Sequence, residues 1–322
     1  MSGKKTVFRA AGALMALLFS LLLSGCGGKP LVEREIVRAM FFLPHAGGCQ
    51  AVLLLQDQES EKPTAYTTAS GTGKTAARAL ADAVQGLPGT PFYGVMDLAV
   101  MPADSNWEQL QAMVDLIRDT AQPSPEVSLY LIEDADAALL PDQAGQMYDA
   151  IQQCEKRYHL QCGLETLGQQ EGCAAIPVYG GLPYGFTLQT SDDTRRQYQE
   201  PVDAQLAAVL CGQTDRLDMM FGDGAYSCQA AARTICQADP ERLNVRLILS
   251  DTRLAALHEE SESSETEAIS AALTYALQQA FARLCADAEN MQVDPYRFRF
   301  GETGLLGSGA PPLPVTLQVE FA

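Results

Sequence analysis

Apolar positions in the first half of the chain alternate between short continuous runs and stretches with helical spacing. The continuous runs predict buried strands, and apolar residues three or four positions apart predict helices. The predicted elements are strands at 51–56, 95–101 and 127–132 and helices at 75–85, 107–118 and 141–154. Two successive β-α-β units indicate a layered α/β domain, with some parallel pairing if the strands share one sheet.

The pattern changes between residues 163 and 200, where glycine, proline and polar residues crowd together. Such composition is typical of loops, and Gly180-Gly181 interrupts any continuous element there. We therefore predict a domain boundary near Val178. It separates an N-terminal domain, residues 31–178, from a C-terminal domain, residues 179–322.

The second half combines weak and strong signals. Residues 204–210 and 225–236 carry weak helical patterns, whereas 243–249 and 315–321 alternate apolar and polar residues as half-buried strands do. Ser264 and Glu267 form a capping box that starts a long amphipathic helix ending near Cys285. Strand, long helix and terminal strand predict an α+β module whose helix lies on a sheet. The predicted fold class is thus α+β or mixed α/β.

The N-terminus has the pattern of a secretory signal. Three basic residues precede an apolar run at 10–23, which is too short to span a bilayer and ends in Leu23-Ser24-Gly25-Cys26. These four residues resemble a bacterial lipobox. This resemblance predicts a signal peptide at 1–25, cleavage between Gly25 and Cys26, and a lipid on the Cys26 sulfur. An uncleaved N-terminal anchor is the alternative.

A lipid-bearing Cys26 would hold the mature chain on the outer side of a membrane, because stable anchoring needs about two acyl chains. Residues 26–30 would form the tether. The net charge of −18 becomes −21 once the three basic residues of the signal are removed. Such an acidic chain repels nucleic acid and anionic headgroups, so we expect the lipid alone to hold it to the membrane.

Eight further cysteines permit either disulfides or buried thiols. They are Cys49, Cys154, Cys162, Cys173, Cys211, Cys228, Cys236 and Cys285. An exported chain can form disulfides, and the cluster from Cys154 to Cys173 is the most plausible place for one. The sequence lacks the Cys-x-x-Cys spacing of zinc ribbons, so we predict no metal and no cofactor.

Gly71-Thr72-Gly73-Lys74-Thr75 resembles part of a phosphate-binding loop. The full motif needs a further glycine at the position of Thr68. We therefore interpret this stretch as a glycine turn in which Thr72 or Thr75 starts the following helix.

Other candidate residues do not form a catalytic set. His45 and Cys49 lie too close together in a predicted loop to act as a nucleophile and its base. Tyr179, Tyr184 and Phe186 could line the rim of a ligand pocket or cover a loop. Met219-Met220-Phe221 is more typical of core than of a binding surface. We predict that the protein is not an enzyme.

The order of these features resembles the Ger(x)C family, the lipoprotein C subunits of nutrient germinant receptors in spore-forming bacteria. Those proteins carry a lipobox cysteine, an Arg-Glu-Ile motif before a strand, an aromatic-Tyr-Gly segment, a Leu-Arg-Asp helix end and an Asp-aromatic-Gly stretch. The similar segments here are Glu33-Arg34-Glu35-Ile36, Phe92-Tyr93-Gly94, Leu116-Ile117-Arg118-Asp119, and Asp294 with Tyr296, Phe298, Phe300 and Gly301.

The resemblance implies a non-enzymatic, membrane-anchored subunit that assembles with integral-membrane receptor subunits of A and B type. It places the protein on the extracytoplasmic face of the inner membrane in spores. The alternative is a solute-binding lipoprotein of a transporter, for which two α/β-like parts and a boundary rich in tyrosine and glycine would permit a cleft.

Overall fold

The structure is a computed structural model. It describes residues 34–58, 65–121, 127–133, 141–164, 173–180, 184–238, 242–257, 265–298 and 314–322. Within these residues it contains thirteen strands and five α-helices. This mixed α/β content confirms the predicted fold class.

The strands are β1 (Arg34–His45), β2 (Gly48–Gln56), β3 (Tyr66–Gly73), β4 (Thr90–Phe92), β5 (Leu98–Pro102), β6 (Ser128–Ile132), β7 (Cys173–Tyr179), β8 (Gly185–Thr190), β9 (Arg195–Tyr198), β10 (Arg216–Phe221), β11 (Tyr226–Ala238), β12 (Leu243–Ala256) and β13 (Val315–Phe321). The helices are α1 (Ala76–Gln85), α2 (Trp107–Leu116), α3 (Pro141–Tyr158), α4 (Pro201–Leu210) and α5 (Glu265–Asn290).

Nine strands form a large mixed sheet in the order β3-β2-β1-β5-β6-β7-β8-β9, and β4 pairs with the start of β1. The central strands β1, β5, β6 and β7 are parallel, whereas the outer strands pair antiparallel. The unit β5-α2-β6 confirms the predicted parallel pairing. β2 instead forms a hairpin with β1, which lies between it and β5.

Both faces of the large sheet are covered. Helices α1 and α2 lie on one face, where Leu80 and Met113 join one buried cluster with Leu129. Helix α3 lies on the other face, where Tyr148 packs in a second cluster with Tyr130. Neighbouring residues of β6 therefore belong to two separate cores.

The small sheet has the order β10-β11-β12-β13, with only β12 and β13 parallel. In β12 the predicted alternation is confirmed, because Leu243, Val245, Leu247 and Leu249 are buried and the residues between them are partly exposed. Helix α5 contacts β12 and β13, which confirms the predicted long helix on a sheet.

Helix α4 joins the two sheets into one body. Every residue from Asp203 to Leu210 is buried, and the helix contacts β8 of the large sheet, β10 of the small sheet and α5. The guanidinium of Arg283 on α5 donates two hydrogen bonds to Asp203, at 2.6 and 3.1 Å. The second core cluster continues from the large sheet through α4 into the small sheet.

The helix predicted at 225–236 is wrong, because these residues belong to strand β11. β11 pairs antiparallel with both β10 and β12, and Cys228, Ala230 and Ala232 point into the core. Alanine favours helices, but pairing with two neighbouring strands overrides that local preference.

The stretch around the predicted domain boundary contains three strands that the composition did not indicate. Val178 lies inside β7, and β8 and β9 continue the same sheet as far as Tyr198. The large sheet therefore ends about twenty residues beyond Val178.

Helix boundaries follow the local signals. Thr75 has extended backbone angles, and its hydroxyl accepts a hydrogen bond from the Arg78 backbone N–H, which confirms Thr75 as the start of α1. Helix α2 ends in a π-helical turn over Ile117–Ala121. Ser264, the predicted capping residue of α5, lies outside the described residues. None of the described helices combines the length and apolarity needed to cross a membrane.

Candidate functional site

The predicted lipidation site lies outside the described residues, as do Gly25 and the rest of the lipobox. The first described residue is Arg34, at the start of β1. Residues around Arg34 are therefore the described ones that lie nearest in sequence to the predicted anchor.

Two of the motifs that carry the family resemblance meet at this point. Residues Arg34 to Ile36 pair in parallel with β4, so that Ile36 is opposite Phe92. The Arg34 guanidinium lies 5.1 Å from the centre of the Phe92 ring, within the range of a cation–π contact. A side chain at Gly94 would bring a Cβ atom within 2.7 Å of the same ring. Segments almost sixty residues apart thus form one structural unit.

The two other motifs have structural contacts of their own. Arg118 donates a hydrogen bond to the Leu164 carbonyl at 3.3 Å. The Asp294 carboxylate accepts one from the Phe298 backbone N–H at 2.8 Å, and the Tyr296 and Phe298 rings lie 5.4 Å apart. Phe300 and Gly301 lie outside the described residues.

A polar network that sequence reasoning missed connects β1, the start of β5 and α3. The Arg38 guanidinium donates to Asp97 Oδ2 at 2.6 Å and to the Tyr148 hydroxyl oxygen at 2.9 Å. The Tyr148 hydroxyl in turn donates to Asp97 Oδ2 at 3.0 Å. Burial is the main reason why the pKa of Tyr148 is raised. The sequence feature that could have revealed this network is Arg38, a charged residue inside an apolar run. A charged side chain needs a partner when it is buried.

About two turns further along α3 from Tyr148, Glu155 lies against the same face of the large sheet. Its Oε2 accepts a hydrogen bond from Gln152 Nε2 at 3.0 Å. Burial raises the pKa of the Glu155 carboxyl group. The hydrogen bonds of Tyr148 to Arg38 and Asp97 stabilise the contact between α3 and the sheet, and the Arg38 and Asp97 side chains remain 31% and 34% exposed.

An open cleft of about 830 Å³ lies at the carboxyl ends of β1 and β5, between the first turns of α1 and α2. Its floor includes the buried side chains of Phe42, Met101 and Met113. Cavities of roughly 300–1,000 Å³ are typical of small-molecule sites, and ligands of α/β proteins commonly bind beyond the carboxyl ends of parallel strands.

The loop that enters α2 forms one wall of this cleft and is hydrogen-bonded to β8, β9 and the turn between them. Arg195 donates to the carbonyl oxygens of Ala103 and Ser105, and Gln189 also donates to Ser105 at 3.1 Å. Asp193 accepts from the Trp107 backbone N–H at 2.6 Å. These contacts from β8, β9 and the turn between them make the wall a preformed one.

The glycine-rich stretch at 71–75 does not form a phosphate cradle. Gly71 and Gly73 belong to β3, and a Cβ atom at Gly71 would lie 2.1 Å from the Ala83 backbone nitrogen of α1. At Gly73 the corresponding distance to the Ala79 nitrogen is 2.6 Å. These glycines therefore allow α1 to lie directly against β3.

His45 and Cys49 lie on either side of a two-residue turn, Ala46-Gly47, whose positive φ values of 41° and 78° suit a tight hairpin. The Cys49 thiol donates to the Gln50 carbonyl at 3.6 Å, and burial raises its pKa. A raised pKa disfavours the thiolate that a nucleophile requires.

The residues considered as a pocket rim or loop cover are mostly core. Tyr184 and Phe186 are fully buried, and the Tyr184 ring packs edge-on against Tyr158 at 5.1 Å. Met219 and Phe221 are also core residues, whereas Met220, between them on β10, is exposed.

All eight cysteines within the described residues are free thiols, including the cluster from Cys154 to Cys173. Burial raises the pKa of the Cys154 and Cys173 thiols to about 12, which leaves them protonated at neutral pH. Among the described residues, no group of three or more His, Cys, Asp or Glu side chains is arranged to hold a metal.

No family model and no curated protein matches the chain. Among solved structures, the chain is similar to a crystal structure of the GerBC protein at 10% sequence identity. The alignment covers 88% of this chain and 96% of that one, with a TM-score of 0.41.

Proposed function

We propose that the protein is a lipoprotein, anchored through Cys26, that serves as a non-enzymatic C-type subunit of a spore germinant receptor. The observation that carries this proposal is the sequence itself: a lipobox at Leu23-Ser24-Gly25-Cys26 followed by the ordered Ger(x)C motifs. The pairing of Arg34 to Ile36 with Thr90 to Phe92 supports it, because two of these separated motifs form a single structural unit.

In the proposed role, the lipid confines the acidic body to the outer face of the spore inner membrane. Anchoring raises the effective concentration of the subunit toward integral-membrane partners of A and B type without additional contact area. The nutrient would be sensed mainly in the membrane partners, and this subunit would support assembly or signal relay.

The test is a clean deletion complemented by the wild-type gene or by Cys26→Ser. We expect deletion to abolish germination in response to the nutrient while vegetative growth stays normal. We expect the Cys26→Ser protein to leave the membrane fraction and to complement poorly. Normal nutrient-triggered germination of the deletion strain, in the absence of a duplicate gene, would overturn the proposal.

A second candidate function is that of a solute-binding lipoprotein of a transporter. The open cleft between α1 and α2 favours it, because its volume suits a small molecule. Loss of uptake of one solute in the deletion strain, with normal germination, would support this second function over the first.

A further inference from the structure

The charged groups that line the cleft lie on opposite walls. Lys74 lies on the α1 side, at the junction between β3 and the helix, whereas Asp104 and Glu108 lie on the α2 side. All three side chains are exposed to solvent. None of them has a side-chain hydrogen bond or ion pair with any described residue, although both signs of charge face one cavity.

The other polar side chains at the two helix starts are already engaged. Asn106 and Gln109 exchange hydrogen bonds of 2.8 Å in a capping box, and Thr75 caps α1. The side-chain oxygens of these residues therefore satisfy the helix N-termini. The charges at the walls remain available, above an apolar floor.

We propose that this cleft binds a short apolar peptide with free termini, two or three residues long. Lys74 would pair with its carboxylate, and Asp104 and Glu108 with its ammonium group. Phe42, Met101 and Met113 would contact its apolar side chains. This class of ligand follows from three observations: separated charges of opposite sign, an uncharged floor, and a volume of about 830 Å³.

The size of the cleft argues for a peptide rather than a single amino acid. A volume in the upper part of the ~300–1,000 Å³ range suits a ligand of drug size. A free amino acid carries both charged groups on one carbon atom, whereas a peptide of two or three residues carries them at its two ends. This inference does not rest on the proposed germinant-receptor function and holds equally for a solute-binding protein.

The test is isothermal titration of the full-length chain, purified in detergent, with the tripeptide Ala-Leu-Ala. The same peptide with an acetylated N-terminus, the same peptide with an amidated C-terminus, and free leucine are the matched ligands. We expect the free tripeptide to bind and each blocked form to bind about tenfold more weakly or worse, since each lacks one charge-assisted contact. Free leucine should also bind at least about tenfold more weakly.

Variants assign each end of the peptide to one wall. In Lys74→Met, amidation of the peptide should no longer reduce affinity, while acetylation still does. In the double variant Asp104→Asn with Glu108→Gln, acetylation of the peptide should no longer reduce affinity, while amidation still does. Lys156→Met and Asp115→Asn, exposed positions outside the cleft, are the controls and should bind all ligands as the wild type does.

An unchanged melting temperature of each variant without peptide would show that folding is intact. The proposal is overturned if no ligand binds up to about 10 mM, which corresponds to a binding free energy of only about −3 kcal/mol. It is equally overturned if leucine binds as tightly as the tripeptide, or if blocking either terminus has the same effect in wild type and variants.

Discussion

The central strands of the large sheet are covered on both faces, whereas the strands of the small sheet are covered on one. All five residues of β5 and of β6 are buried. In β12, buried and partly exposed residues alternate from Leu243 to Ser250. The large sheet lies between two helical layers, while the outer face of the small sheet carries polar pairs such as Arg246 with Glu320.

This difference determines how many side chains of each sheet contribute to stability by packing in a core. In the large sheet, neighbouring apolar side chains of β5 and β6 pack alternately into one of two cores. In the small sheet, only every second side chain packs, and the others meet solvent. Substitutions at neighbouring positions should therefore change the free energy of unfolding in a different pattern in the two sheets.

The strongest test is an alanine scan of neighbouring residues. We expect Leu129→Ala and Tyr130→Ala in β6 each to cost about 2–5 kcal/mol, because both side chains leave a cavity in a core. In β12, Leu247→Ala should cost a similar amount and Ile248→Ala less than about 1 kcal/mol. Equilibrium urea unfolding measures these differences. If Ile248→Ala is as damaging as Leu247→Ala, the outer face of the small sheet is covered.

Close packing on the large sheet gives the second prediction. Gly71→Ala should destabilise the protein by about 3 kcal/mol, since its Cβ atom would meet the Ala83 backbone at 2.1 Å and overpacking is costly. Gly86→Ala, just after α1, is the matched control. Its Cβ atom would lie 3.5 Å from the nearest atom, at the Ala83 carbonyl, and the change should be within about 0.5 kcal/mol. A tolerated Gly71→Ala would mean that α1 lies further from β3.

The two sheets also differ in their ion pairs. We expect Asp97→Ala to cost about 1.5–3 kcal/mol, because it removes hydrogen bonds to Arg38 and Tyr148 in a half-buried network. Glu320→Gln on the outer face of the small sheet should cost clearly less, because the amide keeps one acceptor oxygen for Arg246, whereas Asp97→Ala removes an acceptor from the buried Tyr148 hydroxyl. Thermal unfolding of both variants at low and at high salt measures the two losses of stability. Equal losses for both variants would contradict the contrast between the faces.

The smallest expected effect is a pH dependence confined to the large-sheet side. Burial raises the pKa of Glu155 in the folded protein above its unfolded value, so the folded state holds the proton more tightly. Its stabilising contribution is full below the unfolded pKa and is lost as pH rises through the folded pKa. Wild type should therefore lose stability relative to Glu155→Gln as pH rises from about 4 through that window.

Urea midpoints measured across this pH range provide the comparison. Glu289→Gln, an exposed position on α5, serves as the control and should follow the wild-type curve. A Glu155→Gln curve parallel to wild type would show that Glu155 does not titrate differently in the folded state.

Strong local periodicity made several elements predictable. The alternation in β12 and the helical spacing in α2 report which side chains face the core, and the structure confirms both. The structure also confirms α1 and β13 as elements, but Ala77 and Ala81 of α1 and Phe321 of β13 are exposed. Thr75 was found as a helix start because its capping contact involves residues only three positions apart. These signals are short-range, so a single stretch of sequence contains them.

Elements defined by distant partners were harder to predict. The residues of β11 carry a weak helical pattern, and only their pairing with β10 and β12 makes them a strand. Likewise, β8 and β9 lie in a stretch rich in glycine and polar residues that resembles a loop. The network around Arg38 was missed because Asp97 and Tyr148 are 59 and 110 residues away along the chain.

The sequence by itself determined the lipobox-like pattern ending at Cys26, the acidic charge, the fold class, all five described α-helices and five of the thirteen described strands, because each depends on neighbouring residues or on overall composition. Only the tertiary structure decided that β1 lies at the centre of the large sheet, that Arg34 meets Phe92, and that Lys74 faces Asp104 across a cleft. These depend on strand order, and strand order arises from burial of apolar surface by segments far apart in the chain.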